Sequence, residues 1–364
     1  MPELPRRHLG TPDVEIVGGG VTGCACAFAL AEAGLQVRLW ETREIAWGAS
    51  GRNGGFALRG TAAPYDVAVE SLGRERAAEL WSLTERYLDR LAQLAGDAFR
   101  RLGSLRLAAD EEEREELRKE FEGLRADGFS AEWLDELDEP VGSRYVGAIV
   151  HPTDAVLQPA RWVRRLALLA AEAGVDIRER SRVESVEELG GERVVVATDG
   201  YPSGLLGELE GLIVPTRAQM IATEPLPQLR YERPHYGRHG FDYWHQRSDG
   251  RLLVGGFRDF ALTTEFTDVE ETTEPIQRAL EEFASELAGG PVHVTHRWAG
   301  IFGLVPDFLP VVGPLPGQDR VWVAGGYSGH GNVLGLMCGE LVAQAMLGRE
   351  APFLDLFEPQ RLLG

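Results

Sequence analysis

Apolar and polar positions fall into three rhythms along this chain, and each predicts a different kind of element. Residues 13–18 (DVEIVG) form a short, β-branched apolar run that predicts a buried parallel strand. After a glycine-rich turn, residues 24–33 (CACAFALAEA) are small, apolar and helix-forming, and Gly34 suits a C-terminal cap. Residues 35–41 (LQVRLWE) predict a second strand, which completes a βαβ unit. Residues 42–60 are too rich in glycine for a stable helix or strand interior, so a backbone that approaches a bound group is expected there. Helical spacing returns at 74–94, and 101–108 (RLGSLRLA) predicts a strand. The run 111–125 is helical and so highly charged that a solvated surface face is expected.

A loop is expected at 151–159, then an amphipathic helix over 160–173 ending at Gly174, then strands at 175–178 and 193–198. From about Thr216 the rhythm becomes that of antiparallel strands. A hairpin is predicted over 242–256, with its turn at Ser248-Asp249-Gly250. A helix follows at 274–287, a buried strand at 320–324, and a helix at 333–347. Parallel-strand signals therefore occur at the start, middle and end, with antiparallel signals between them. The pattern predicts an α/β fold of two domains interleaved in sequence.

Length and charge narrow the picture. The 364 residues are enough for about two or three domains. Hydrophobic residues make up 44% and charged residues 26%, which excludes disorder as the main state. A net charge of -20 opposes binding to nucleic acid or anionic membranes. The only lysine is Lys119, so any step that needs a lysine has one candidate. Cys24, Cys26 and Cys338 are too few for a disulfide scaffold and have no zinc-site spacing, so no metal is expected. No apolar run reaches membrane-spanning length, and MPELPRRHLGTPD lacks a signal core, so a cytoplasmic protein is expected.

The chemistry starts at Gly18-x-Gly20-x-x-Gly23, between the first strand and helix. Gly18 permits the tight turn, Gly20 lets a pyrophosphate reach the backbone, and Gly23 lets the helix pack on the strand. The helix N-terminus offers free N–H groups and a positive dipole to phosphates. Glu41 ends the second strand, where a carboxylate can accept from ribose hydroxyls, and an acid there disfavours a 2′-phosphate. These residues indicate a dinucleotide but do not separate NAD from FAD.

Five stretches, in order, carry a resemblance: GGGVTG at 18–23, WGASGRNGG at 47–55, YWHQRSDGRLLVGG at 243–256, RWAGIFGLVPDFLPVVG at 297–313 and GGYSGHGN at 325–332. Together they resemble the FAD-dependent amine oxidoreductases of the D-amino-acid oxidase family, with the second stretch similar to γ-glutamylputrescine oxidase-like members. The resemblance implies a Rossmann-like FAD-binding domain at 1–75, 145–215 and 312–364, interleaved with an α+β substrate domain on an antiparallel sheet at 76–144 and 216–311. It implies non-covalent FAD, since no cysteine lies at 297–305, where cysteine-linked members attach the flavin.

The same resemblance implies roles for residues. Val21 and Thr22 would join the glycines of the first stretch, with Thr42 and Arg43 beside Glu41. Ala49, Ser50, Arg52, Asn53, Gly54 and Gly55 would border the flavin, Val183 would meet adenine through its backbone, and Thr198 and Gly200 would lie near the pyrophosphate. Gly300, Gly326, Gly329, His330, Gly331, Asn332 and Val333 would complete the cofactor site. The last segment also has a direct physical reading: it precedes a helix whose amides and dipole favour negative charge on the N1–C2=O edge of reduced flavin. His330 either touches the flavin or caps the helix. Tyr243, Trp244 and His245 alternate faces on a strand, so either Tyr243 and His245 or Trp244 alone should face the pocket.

Three departures from the family qualify the activity. Leu253 stands at about the position where sarcosine-oxidase-like members carry an oxygen-activating lysine. Phe302 stands near the place of the arginine that holds the substrate carboxylate in glycine oxidase-like members, which disfavours a simple α-amino acid unless Arg52, Arg217 or Arg297 substitutes. Residues 185–197 lack the longer β-meander usual in the family. With Tyr243, His245, His330 and Phe302 as candidate catalytic residues, the resemblance implies oxidation of a primary or secondary amine. Hydride would pass to flavin N5, the imine would hydrolyse, and O2 would re-oxidise the flavin with release of H2O2. The open alternatives are a dehydrogenase with another acceptor, a non-catalytic flavin-binding protein and an NAD-dependent dehydrogenase. The expected partners are a small-molecule amine and O2 or another acceptor, in a monomer or homo-oligomer.

Overall fold

A computed structural model describes residues 10–201 and 204–363. Most of the N-terminal stretch read for a signal core lies outside the described residues. No described helix is long and apolar enough to cross a membrane.

The first sheet has six strands in the order Val311–Pro314, Val321–Gly325, Arg193–Val196, Val14–Val17, Val37–Trp40 and Asp176–Arg178. All neighbours pair in parallel except the first two. Both faces of this sheet are buried, which explains the unbroken apolar runs. Within Arg193–Val196, Val195 enters the core that holds the helices, while Val194 and Val196 enter a separate cluster with Leu206, Leu209, Ile213 and Val305. The helices Val21–Glu32, Pro159–Ala173 and Gly331–Met346 pack in the larger core. Gly339 permits the close approach of the first and last of these, because a Cβ there would stand 2.5 Å from the Thr22 carbonyl oxygen.

The second sheet has eight strands, Val294–Leu304, Val214–Pro225, Arg251–Gly256, Asp242–Gln246, His235–Gly237, Ser104–Ala108, Gly147–His151 and Glu132–Leu134. It is antiparallel apart from the pairing of His235–Gly237 with Ser104–Ala108. The helix Glu274–Ala288 covers one face. Trp244 is fully buried there, edge-on to Phe283 and stacked on His235 with ring centroids 5.0 Å apart. A small third sheet joins Phe56–Ala57, Ala155–Leu157 and Phe99–Arg101.

Several sequence expectations change. The loop expected at 151–159 contains the end of one strand and all of another. Gly147–His151 pairs in the eight-stranded sheet, so by sheet membership the boundary placed at 145 moves past 151. The glycine-rich 42–60 segment does hold a one-turn helix, Ala49–Arg52, and the strand Phe56–Ala57; neighbouring segments support these pieces. Helix Glu111–Ala126 is not only a solvated face. Leu117 and Leu124 are buried, and so are Glu113 and Glu120, the latter paired with Arg106. The 101–108 strand is interrupted at Gly103, which has φ 72°. The link between Asp176–Arg178 and Arg193–Val196 carries only a 3-10 turn at Val186–Glu188, in keeping with the short segment read there.

Candidate active site

The carboxyl ends of the parallel strands open onto a cavity of about 700 Å³. Open α/β sheets bind their ligands at this position. Gly18 follows the first strand with φ 116°, and a Cβ there would lie 2.4 Å from the Ala197 carbonyl oxygen. The turn therefore demands glycine. At Gly20 a Cβ would stand 2.9 Å from the Ser50 hydroxyl, which accepts from the Val21 amide at 3.0 Å. The first-turn amides of Val21–Glu32 have no intrahelical acceptors, so those that Ser50 does not take form a cradle for phosphate.

Glu41 accepts from the Gly19 amide at 2.8 Å and from the Arg43 amide at 2.7 Å. Burial pushes its carboxyl up, and these two bonds oppose the shift. Thr42, Arg43, Val183 and Thr198 also line the cavity. Ala49, Ser50, Arg52, Asn53 and Gly54 follow, and they meet the other end of the chain through Asn332. The Asn332 amide donates to Asn53 Oδ1 at 3.0 Å and to the Phe56 carbonyl at 2.8 Å. Gly329, His330, Gly331 and Asn332 line the cavity at the start of helix Gly331–Met346. Burial lowers the His330 pKa to about 4, so its imidazole is neutral near pH 7, and its Nδ1 has no partner among the described residues.

From the second sheet come Met220, Tyr243, Gly300 and Phe302, with Arg258 from the turn after Arg251–Gly256. Burial pushes the Tyr243 hydroxyl up to about 12, so it is protonated at neutral pH. Tyr243 faces the cavity and Trp244 faces the core, which settles the alternation left open by the strand pattern.

Six expected residues do not line the cavity. His245 shares the face of Tyr243 but packs behind Phe56, with ring centroids 5.9 Å apart. Gly23, Gly55, Gly200 and Gly326 are close-approach positions instead. Added Cβ atoms would meet the Gly18 carbonyl oxygen at 2.0 Å, the Leu157 carbonyl oxygen at 2.2 Å, the Phe302 carbonyl carbon at 2.8 Å and the Val305 side chain at 2.5 Å. Val333 is buried in the helix core. Leu253 does not line the cavity either, and the ring of Tyr243 fills the space beside Gly255 on the same strand. Lys119 is on the exposed face of its helix, away from the cavity.

Sequence reasoning missed Asp199, Glu270 and Arg258. Asp199 is a cavity-lining carboxylate that accepts from the Gly326 amide at 2.8 Å and the Gly303 amide at 3.1 Å. Burial raises its pKa against those bonds. Its place directly after the run 193–198 was the only sequence signal. Glu270 accepts from Arg43, Arg52 and Trp47, and its other oxygen accepts from Tyr201 at 2.6 Å.

Residues 13–345 match the family described as FAD dependent oxidoreductase, and the chain belongs to that family. It is 30% identical to the probable oxidoreductase OrdL of Rhizobium meliloti, over 96% of this chain and 86% of that protein. It is 29% identical to the gamma-glutamylputrescine oxidoreductase of Escherichia coli, over 95% of this chain and 86% of that one. Its fold matches the crystal structure of glycine oxidase from Geobacillus kaustophilus with a TM-score of 0.78 at 23% identity, covering 96% of this chain and 98% of that one. The protein is thus an FAD-dependent oxidoreductase, and the Gly18–Gly20 turn without side chains, the Glu41 carboxylate and the cavity fit that cofactor.

Proposed function

We propose that the protein oxidises an amine, with FAD held non-covalently along the cavity. The observation that carries the reading is the continuity of one cavity from the Gly18–Glu41 cradle to Tyr243, Arg258, Met220 and Phe302. When bound, FAD supplies a hydride acceptor at N5 and passes the electrons to a second acceptor. Every other requirement falls on the protein: binding, orientation and exclusion of water. We assign residues of the six-stranded sheet to hold the dinucleotide and the eight-stranded sheet to cover the reacting end.

The first turn of Gly331–Met346 presents amides and a positive dipole to the cavity, and this favours negative charge there. Asn332 ties that helix to the 49–56 segment and so fixes the two walls relative to each other. Phe302, Met220 and Tyr243 supply an apolar surround in which a neutral amine can lie against the ring. The amine carbon gives up a hydride, the nitrogen loses a proton, and the resulting imine takes up water to yield a carbonyl compound and ammonia or a smaller amine. The cysteines are buried in the core, which supports non-covalent attachment.

Both the glycine oxidase and the gamma-glutamylputrescine oxidoreductase relatives support an amine substrate, and the name of the first supports an oxidase. One observation favours a second reading, transfer to an acceptor other than O2: the only lysine, Lys119, does not line the cavity. Anaerobic mixing of the FAD-loaded protein with amines, followed by re-admission of air, tests both. Bleaching by an amine supports the proposal, and no bleaching by any amine refutes it. Rapid recovery of colour in air identifies an oxidase, and recovery only with an added acceptor identifies a dehydrogenase.

A further inference from the structure

The chain has four methionines. Met1 lies outside the described residues, and Met337 and Met346 are buried in the helix core. Of the three described, Met220 alone lines the cavity. It is 2% exposed, so its thioether is reached through the cavity and not from the outer surface. The other sulfurs are closed to oxidants. Cys24, Cys26 and Cys338 are buried in the helix core and do not line the cavity. Burial pushes their thiols up, that of Cys26 to about 12, so none is a thiolate, the form that peroxide attacks.

The sheet sets what Met220 faces. It pairs with Gly255 on one neighbouring strand, and Gly255 pairs with Tyr243 on the next, so all three share the cavity face. The Tyr243 ring leans across Gly255 towards Met220: a Cβ at Gly255 would meet Tyr243 Cε2 at 2.1 Å and its hydroxyl oxygen at 2.6 Å. A Cβ at Gly54 would stand 3.6 Å from Met220 Cε and 3.5 Å from Tyr243 Cδ2. Thioether and phenol therefore converge on the loop that we assign to the flavin.

We propose that Met220 is a modification site: hydrogen peroxide formed as O2 re-oxidises the flavin converts its thioether to the sulfoxide inside the cavity. This rests on the amine-oxidising reading with O2 as acceptor. O2 takes two electrons from the reduced flavin and two protons, and becomes H2O2. The Met220 sulfur then attacks one peroxide oxygen. An S–O bond forms, the O–O bond breaks, and the departing hydroxide takes the remaining proton to leave as water. The sulfur is oxidised by two electrons, and the peroxide is reduced. A flexible apolar side chain thereby becomes a polar one whose oxygen accepts hydrogen bonds. The Tyr243 hydroxyl, without a hydrogen-bond partner among the described residues, is the donor beside it. The apolar surround for a neutral amine is lost, so each oxidised molecule reduces its flavin more slowly.

Peptide mass spectrometry of the FAD-loaded protein tests this in two arms. In the first, H2O2 is added from outside. The peptide that holds Met220 should gain one oxygen roughly ten-fold faster than those that hold Met337 and Met346. In the second, the protein turns over an amine in air with catalase in the solution. Met220 should still gain oxygen, because peroxide formed in the cavity meets the sulfur before it reaches catalase. The oxidised protein, mixed again with that amine without air, should lose flavin absorbance about five-fold more slowly, and Met220→Leu treated likewise should show no such slowing. An unchanged rate after oxidation would overturn the effect assigned to the sulfoxide. Met220 oxidised no faster than Met337 and Met346, Met220 left unmodified by turnover that releases H2O2, or turnover that forms no H2O2 would overturn the proposal. The masses come from the unaltered protein and do not depend on the folding of a variant. Preferential oxidation of Met220 by added H2O2, in a protein whose flavin no amine bleaches, would refute the amine-oxidising reading and leave the reactivity of Met220 standing.

Discussion

The carboxylate of Glu270 lies 3.0 Å from the guanidinium of Arg52, joining segments 218 residues apart. The same carboxylate holds Arg43, Trp47 and Tyr201, and so straps the 266–273 segment across the loop that follows the second parallel strand. Burial pushes the Glu270 carboxyl up, but its hydrogen bond from Tyr201 and the nearby Arg52, Trp47 and Arg43 leave it below the usual carboxylate value. The strap is therefore charged at neutral pH and weakens only in acid.

Glu270→Ala should accordingly speed the release of FAD, by roughly ten-fold, and Glu270→Gln by less, since an amide keeps an acceptor. The recovery of free-flavin fluorescence on dilution measures the rate. An unchanged rate in Glu270→Ala would show that the strap does not retain the cofactor.

The cradle gives a separate expectation. Gly20→Ala places a Cβ against the Ser50 hydroxyl and over the backbone that phosphate must approach. The protein should fold but lose FAD, read as a colourless protein with an unchanged far-ultraviolet circular dichroism spectrum. Full flavin content in that variant would place the pyrophosphate elsewhere.

Asp199 tests how the cavity wall is held. Its two amide donors are buried, and Asp199→Ala would leave both without an acceptor. The loss should be on the order of 1–3 kcal/mol for each donor, visible as a lower thermal unfolding midpoint. Asp199→Asn keeps one acceptor oxygen and should lose less.

Acid should also destabilise the fold through buried histidines. Burial lowers His235 to about 3 and His245 to about 4, below the ordinary value near 6.5. A base with a depressed folded pKa is protonated first in the unfolded chain. Its contribution to stability is thus full above about pH 6.5 and lost as pH falls toward 3–4, by up to about 1.4 kcal/mol per pH unit for each histidine. Asp154, which burial raises to about 6, and Glu41, also raised, act in the opposite direction over this range. The readout is therefore a difference: His235→Asn keeps a donor for the Arg233 carbonyl and should lose less stability than the unaltered protein between pH 7 and pH 5. Equal losses would contradict the assignment.

The sequence made the βαβ unit legible because strand rhythm, helix formers and three glycines agree over a short span. The hairpin after Asp242 was legible for the same reason: its turn residues are local. The strands within 151–159 were not, since Phe56–Ala57 and Phe99–Arg101 supply their partners from far away. The same limit governs the site. Gly18, Glu41 and Asn332 stood out by motif, whereas Arg258 is one arginine among 36. What distinguishes it is that the other three arginines of the cavity wall are paired, and no spacing in the chain carries that information. His245 failed for a related reason. Alternation places it on the correct face of its strand, but Phe56 from another element covers it.

The central claim is that an amine reduces the flavin in this cavity. A single-turnover measurement tests it most directly: the FAD-loaded protein is mixed anaerobically with primary and secondary amines in turn while the visible flavin absorbance is followed. The predicted result is loss of that absorbance with formation of one carbonyl product per flavin. An absorbance that stays constant with every amine, in a protein that dithionite reduces fully, would contradict it.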